Sequence, residues 1–86
     1  MVGIYKIISP TGKIYIGQSV NIERRFKEYK TFQCKQQPKI YNSLKKYGPE
    51  NHIFEILKEC SIEQLNEQEI YWKQYYNAVN EGLNCE

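Results

Sequence analysis

The sequence contains no aspartate, since all ten of its acidic residues are glutamates, and its single histidine is His52. These absences exclude a Ser-His-Asp triad, an EF-hand loop and a histidine-rich zinc site. The three cysteines, Cys34, Cys60 and Cys85, show no CxxC spacing. They are typical of reduced intracellular thiols and not of a disulfide framework. Any chemistry must therefore come from Glu, Tyr, Lys, Arg, Asn or Cys side chains.

Long apolar runs are absent as well. No segment approaches the roughly 20 apolar residues that span a bilayer, and the start of the chain lacks the pattern of a secretory signal. With 86 residues, of which 41% are apolar and 26% charged, the composition is that of one small globular domain. We predict a single domain over residues 1–86, located inside the cell (cytoplasm or nucleus), without a membrane partner.

Positive charge is concentrated in the first half of the chain, although the net charge is only +2. Residues 1–46 contain ten Lys and Arg against two Glu, a formal charge of +8. Residues 47–86 contain two Lys against eight Glu, a formal charge of −6. A half-chain this basic favours a polyanion partner, most simply nucleic acid. The alternative is that the two halves neutralise each other within the fold.

Two β-rich runs, residues 3–8 and 13–17, flank a Ser-Pro-Thr-Gly turn and predict a hairpin. The register expected for such a loop places Tyr5 and Tyr15 on one face of the hairpin. The other face carries isoleucines and is the predicted core, which leaves the tyrosine face to be explained. These isoleucines are Ile4, Ile8, Ile14 and Ile16.

Two helices are predicted in the basic half. The first runs from an N-capping Asn21 to about Lys30, and its apolar stripe also contains Arg25. The second begins at Pro38 and is ended by Gly48, which a second proline follows.

A third strand is predicted over residues 52–57, and a last helix begins at Ser61, where Gln64 completes a capping box. The core-facing stripe of that helix has Glu69 at its centre, where a carboxylate is costly unless it is paired, hydrogen-bonded or metal-bound. The stripe consists of Ile62, Leu65, Glu69, Trp72 and Tyr76. The predicted fold class is α/β (α+β), a small, mainly antiparallel three-stranded sheet flanked by three helices.

The tyrosine face, Arg25 and Glu69 are predicted to converge on one place. Taken singly, each has a structural explanation: the tyrosines as half-buried strand aromatics, and Arg25 with Glu69 as a partly buried ion pair. Their convergence favours a functional site, because charged residues are seldom placed at core-facing helical positions for stability alone.

These residues resemble the GIY-YIG nuclease superfamily, which is named after two tripeptides. Further elements of the family follow in its order and spacing along essentially the whole chain. The matching elements are Gly3-Ile4-Tyr5, Tyr15-Ile16-Gly17, Arg25, Lys46-Tyr47-Gly48, Glu69 to Trp72 and Gly82 to Asn84. The resemblance is greatest to the catalytic domains of phage and intron-encoded homing endonucleases.

The resemblance implies hydrolysis of DNA phosphodiesters with one divalent metal, usually Mg²⁺, for which Mn²⁺ can substitute. By the same resemblance, Glu69 is the metal ligand, and one of Tyr5 and Tyr15 positions or deprotonates the attacking water. Arg25 then contacts the scissile phosphate, and Asn84 matches a C-terminal asparagine of the site. A metal and cationic side chains near a phenol would stabilise its phenolate form.

Two positions depart from the homing-type relatives, which often carry histidine where this chain has Tyr29 and Lys35. Tyr29 lies four residues after Arg25 and is expected to point into the site. Lys35 can hold a phosphate but cannot transfer protons near neutral pH.

DNA is the predicted partner, and basic residues of the first half are its expected contacts. Arg24 and Lys35 in particular are expected to contact phosphates beside the scissile one. The full set is Lys13, Arg24, Lys27, Lys35, Lys39, Lys45 and Lys46.

Two alternatives stay open at this point: a weakly active or inactive nucleic-acid-binding module that retains the fold, and a structural or protein-interaction domain. Homing relatives read their targets through an appended DNA-binding region. Since this chain stops about where the catalytic fold ends, it is expected to be either a fragment or a minimal protein. Its oligomeric state is open.

Overall fold

A three-stranded antiparallel sheet carries the two motif tyrosines in the computed structural model, which describes residues 1–84. Its strands are β1 (Gly3–Ile8), β2 (Ile14–Ser19) and β3 (Ile53–Glu59), in the order β2-β1-β3. The hairpin and the third strand are confirmed, with β2 and β3 each starting one residue later than predicted and ending two residues later. Cys85 lies outside the described residues.

Three helices pack on this sheet: α1 (Ile22–Lys30), α2 (Pro38–Tyr47) and α3 (Leu65–Tyr75). The Asn21 side chain caps α1 by accepting a hydrogen bond from the Arg24 backbone N–H at 3.1 Å. Helix α2 ends at Gly48, whose φ of +86° suits glycine. The predicted architecture is confirmed. No helix within residues 1–84 is long and apolar enough to cross a bilayer.

The start of α3 differs from the predicted stripe. The Ser61–Gln64 capping box is present, but Ile62–Gln64 forms a 3₁₀ turn and the α-helix begins at Leu65. Because a 3₁₀ turn has three residues per turn instead of 3.6, it moves Ile62 off the buried face. Ile62 is 63% exposed, so its placement in the core stripe was wrong. Leu65 is buried as predicted.

Both faces of the β1–β2 hairpin are largely buried, which corrects the expectation that the isoleucine face alone forms the core. Ile4 and Ile16 pack with Leu65 and Ala78 on the α3 side. On the other side, Tyr5 and Tyr15 belong to a second apolar cluster that α1 and α2 cover. This second cluster also contains Ile7, Ile22, Tyr29, Cys34, Ile40, Leu44 and Leu83. A sheet between two helical layers therefore places the tyrosines inside the domain.

Candidate active site

Three tyrosines meet beneath α1. Antiparallel pairing sets Tyr5 opposite Gly17 and Tyr15 opposite Ile7, so both rings lie on one face as predicted. Tyr29 reaches them from α1, and its hydroxyl lies 2.7 Å from the Tyr5 hydroxyl in a buried hydrogen bond. The Tyr15 ring centroid is 5.8 Å from that of Tyr29 and 6.4 Å from that of Tyr5. Tyr29 therefore packs against both motif tyrosines.

The motif glycines Gly3 and Gly17 make this cluster possible because neighbouring groups approach their Cα atoms closely. A Cβ at position 17 would overlap the ring and hydroxyl of Tyr5, and a Cβ at position 3 would overlap the Lys58 carbonyl of β3. Gly17 thus leaves space for a tyrosine ring, and Gly3 lets β3 pair closely with β1. The glycines of the two tripeptides are therefore needed for the two tyrosines to pack as they do.

Arg25 lies beside the tyrosine cluster, with its guanidinium carbon 4.7 Å from the centre of the Tyr29 ring. It donates hydrogen bonds to Glu28 at 2.8 Å and to the side-chain oxygen of Gln37 at 3.1 Å. Arg25 and Glu69 are therefore not ion-paired, and that structural alternative was wrong. Since the Arg25 side chain is one-quarter exposed, it can still reach an anionic ligand.

The phenols of the cluster are held in their neutral form. Burial raises the pKa of Tyr5, Tyr15 and Tyr29 well above the ordinary value of 10, and Arg25 lowers each pKa by a smaller amount. The neighbouring tyrosine adds to this rise, because a second phenolate in the cluster would repel the first. Arg25 thus favours the phenolate form as expected, but without a bound metal the effect of burial on the pKa is larger.

Glu69 lies in a cavity of about 220 Å³ between β2, α3, residues 36–37 before α2 and residues 83–84. Its carboxylate accepts an ion-pair contact from the Lys73 ammonium at 2.7 Å. The Glu69 side chain is 16% exposed and that of Lys73 27%. Sequence reasoning missed Lys73, although its spacing of four residues from Glu69 on a helix was the signal that could have found it.

Asn84 lines the same cavity, but its amide is bound to the backbone of β2. The side-chain oxygen accepts the Ile16 N–H at 2.7 Å, and the side-chain nitrogen donates to the Ile16 carbonyl at 2.7 Å. The Leu83 N–H also donates to the Ile14 carbonyl at 2.9 Å. Leu83 and Asn84 therefore pair with the edge of β2, the strand that carries Tyr15 and Gly17.

Of the predicted site residues, Tyr15, Glu69 and Asn84 line the cavity itself. Tyr5, Tyr29 and Arg25 lie behind it, and Gln37 connects the two sets by accepting a hydrogen bond from Arg25 and lining the cavity.

The donor set of the cavity fits a hard divalent cation. Glu69 is the only acidic side chain lining it, and residues 1–84 contain no group of three or more His, Cys, Asp or Glu that could enclose a metal. Mg²⁺ keeps several waters and is commonly held by one or two carboxylates with substrate phosphate, so a single carboxylate suits it. A zinc-type site needs more protein ligands than this cavity offers.

His52 has a structural position away from these residues. Its imidazole lies 2.8 Å from the Ser43 hydroxyl and 2.7 Å from the Gly48 carbonyl, which ties the end of α2 to the start of β3. The ring is buried. The single histidine is therefore engaged in packing.

The seven basic residues predicted to contact DNA are all exposed. Five of them form two groups, each lining a surface depression that borders the Glu69 cavity, whereas Arg24 and Lys27 lie on α1. One depression shares Leu83 with the cavity, and the other shares Gln36. The first contains Lys13, Lys39 and Lys46, and the second contains Lys35 and Lys45.

A sheet whose paired GIY and YIG tripeptides hold tyrosines beside an arginine, with a glutamate on a later helix, defines a known family. The chain belongs to the GIY-YIG catalytic domain family, whose model matches residues 1–84.

Two solved structures are similar over nearly the whole chain. The catalytic domain of homing endonuclease I-TevI shares 26% identity with a TM-score of 0.81, covering 100% of this chain and 99% of that one. A Glu-to-Ala mutant of the catalytic domain of intron endonuclease I-TevI shares 27% identity with a TM-score of 0.80, covering 96% and 91% respectively. No curated protein sequence matches the chain.

Proposed function

We propose that this chain is a metal-dependent endonuclease that hydrolyses DNA phosphodiester bonds. The observation that carries the proposal is the cavity in which a lone carboxylate, Glu69, faces Tyr15 while lysine-bearing depressions border it. Hydrolysis of a phosphodiester needs a cationic environment for the phosphate and a positioned nucleophile. The lysines can provide the first, and Tyr15 with a cation bound at Glu69 can provide the second. Membership of a family of nuclease domains supports the same function.

Glu69 would hold Mg²⁺, with Mn²⁺ as a substitute, and the bound ion would supply Lewis-acid stabilisation of the phosphate. Tyr15 is the one tyrosine of the cluster that lines the cavity. We assign to its neutral hydroxyl the positioning of the attacking water. The hydrogen-bonded Tyr5 and Tyr29 behind it fix the ring geometry.

Arg25 completes the proposed site by holding the phosphate. Its planar guanidinium can donate two parallel hydrogen bonds to non-bridging oxygens, whose charge increases in the pentacovalent transition state. The bonds to Glu28 and Gln37 hold the guanidinium beside the cluster before substrate binds. Pre-orientation of this kind lowers the cost of reorganisation during the reaction.

Plasmid cleavage tests the proposal directly. Supercoiled DNA is incubated with the protein and Mg²⁺ or Mn²⁺, and nicked and linear products are quantified. Glu69→Gln keeps the shape of the side chain and removes its charge, so we expect cleavage to be lost. Glu67→Gln, an exposed position on the same helix, is the matched control and should cleave like wild type. No cleavage by wild type, or equal cleavage by Glu69→Gln, would refute the enzyme proposal.

A nucleic-acid-binding module with little activity is the second candidate function. The observation that favours it is the neutral tyrosine cluster, since burial leaves the phenols poor proton acceptors and no histidine lines the cavity within residues 1–84. Such a module would retain DNA in a salt-dependent manner without nicking it. Parallel binding and cleavage assays on wild-type protein separate the two candidates.

A further inference from the structure

We propose that the Lys73 ammonium competes with the divalent cation for the carboxylate of Glu69. Cation binding then requires the ammonium to move away from that carboxylate. The inference rests on the proposed function, because it concerns the same carboxylate. It assigns a role to a residue outside the sequence motifs of the chain.

The ion pair itself is short and enclosed. One turn of α3 separates the two residues, and the Lys73 nitrogen lies 2.7 Å from a Glu69 oxygen. The Arg24–Glu28 pair, also four residues apart, is 3.9 Å long, and its arginine side chain is 68% exposed. An exposed pair contributes little because water screens it, whereas a pair held inside a cavity is screened less.

Among residues 1–84, Lys73 is the single cationic side chain that lines the cavity, and the nearby Lys39 ammonium is bound to the Asn84 carbonyl at 3.2 Å. Tyr15 is protonated, and the Asn84 amide is bound to Ile16. The other lining residues are Gln36, Gln37 and Leu83. Since the ammonium already neutralises this carboxylate, a divalent cation that binds there competes with it for the same charge.

DNA gives the displaced ammonium an alternative partner. A phosphate in the cavity would offer Lys73 anionic oxygens in place of Glu69, and Lys73 is a flexible point charge that can move between them. Cation and DNA binding would then favour each other, because the cation frees Lys73 for the phosphate and the phosphate draws Lys73 away from the carboxylate. An ordinary helix-stabilising pair would show no such coupling.

The test measures Mg²⁺ binding without DNA, at fixed pH and constant ionic strength, from chemical-shift changes of backbone amides around residue 69. Lys73→Met keeps much of the apolar stem and removes the charge. We expect the dissociation constant for Mg²⁺ to fall about fivefold, the size expected from removing one partly screened ion pair. Lys73→Arg keeps a cation four residues from Glu69 and should bind Mg²⁺ like wild type.

Two further variants distinguish a failure of this inference from a failure of the proposed metal site. Lys58→Met removes one charge from exposed β3 and should leave Mg²⁺ affinity unchanged, while Glu69→Gln should abolish binding. Equal affinities for wild type and Lys73→Met, with binding still abolished in Glu69→Gln, would overturn the inference and leave the proposed metal site standing. Shift changes that Glu69→Gln does not reduce, or no binding by any protein, would overturn both. If Lys73→Met does not fold, Lys73→Gln gives the same comparison.

Discussion

At position 17, any side chain would occupy space that the Tyr5 ring already fills. We predict that Gly17→Ala lowers the free energy of unfolding by about 1–3 kcal/mol, the usual cost of overpacking. It should also reduce cleavage per folded molecule, because the displaced Tyr5 loses its bond to Tyr29. Urea unfolding and plasmid cleavage measure the two effects.

A double-mutant cycle shows whether overlap with the Tyr5 ring causes the loss of stability in Gly17→Ala. In a Tyr5→Leu background the shorter side chain leaves room at position 17, so Gly17→Ala should cost much less there. Equal costs in both backgrounds would place the origin of the destabilisation in the backbone of β2 and not in the ring.

The raised pKa values of the three clustered phenols predict a loss of stability in alkali. Above pH 10 the unfolded chain releases these phenolic protons while the folded protein keeps them. The unfolded state then binds fewer protons, so the free energy of unfolding decreases as pH rises, by up to about 1.4 kcal/mol per pH unit for each such phenol. The stabilisation is fully present below pH 10.

Urea unfolding between pH 8 and 11 measures this slope. Tyr29→Phe removes one of the phenols and should make the decline with pH shallower than in wild type. Tyr71→Phe removes an exposed hydroxyl from α3 and is the matched control. If both variants flatten the slope equally, burial of the cluster is not the cause.

At the scale of elements, the edge of β2 depends on the last described residues of the chain. Asn84→Ala would leave the N–H and C=O of Ile16 without their side-chain partner in a buried place. We expect the free energy of unfolding to fall by about 2–4 kcal/mol, since each unsatisfied buried group costs about 1–3 kcal/mol. Thermal and urea melts measure this decrease.

Asn80→Ala provides the comparison, because Asn80 is exposed and its amide bonds only to the Asn77 side chain. It should change stability by less than about 0.5 kcal/mol. A similar small effect for Asn84→Ala would contradict the role assigned to the β2 edge, and Asn84 would then matter only for chemistry in the cavity.

Local sequence signals predicted the helices and strands more accurately than they predicted how these elements pack against one another. The Asn21 cap, Pro38 and Gly48 fix helix ends through local backbone chemistry, and the structure confirms all three. The 3₁₀ turn at Ile62–Gln64 was not visible in the sequence, because a capping box fits the start of either helix type. Burial of the tyrosine face was also missed, since alternation along a strand does not show how many layers cover the sheet.

For the whole molecule, the sequence predicted that the tyrosine face, Arg25 and Glu69 meet at one place. The structure brings Tyr15 and Glu69 to one cavity at the edge of β2, although the tyrosines and α3 pack on opposite faces of the sheet, and it leaves Arg25 behind that cavity. The partners of the charged residues were not predicted. Arg25 pairs with Glu28 and Glu69 with Lys73, and both pairs are local within one helix. Sequence patterns predicted which charges face inward, whereas these two pairs were missed although their helical spacings of three and four residues indicate them.

The distribution of charge over the whole molecule gives a prediction for the proposed binding of DNA. Arg24 and Lys35 are both exposed in the basic half of the chain, on α1 and beside the cavity neighbour Gln36. Side chains that bind phosphates position a duplex without reading its sequence, so neutralising both residues should weaken binding equally for unrelated sequences. The plot of log K against log salt should also become less steep by about 0.9 for each phosphate that the variant no longer neutralises.

Lys6 and Lys58 form the matched control pair for this experiment. Lys6 contacts the Tyr76 hydroxyl, and Lys58 is paired with Ile4, so both belong to the α3 side of the sheet. Replacing both with glutamine removes the same formal charge as the double change at Arg24 and Lys35. If net charge alone determined affinity, the two double variants would have identical salt slopes. We expect the control pair to keep the wild-type slope, because the proposed DNA surface lies on the face that carries α1, α2 and the basic depressions.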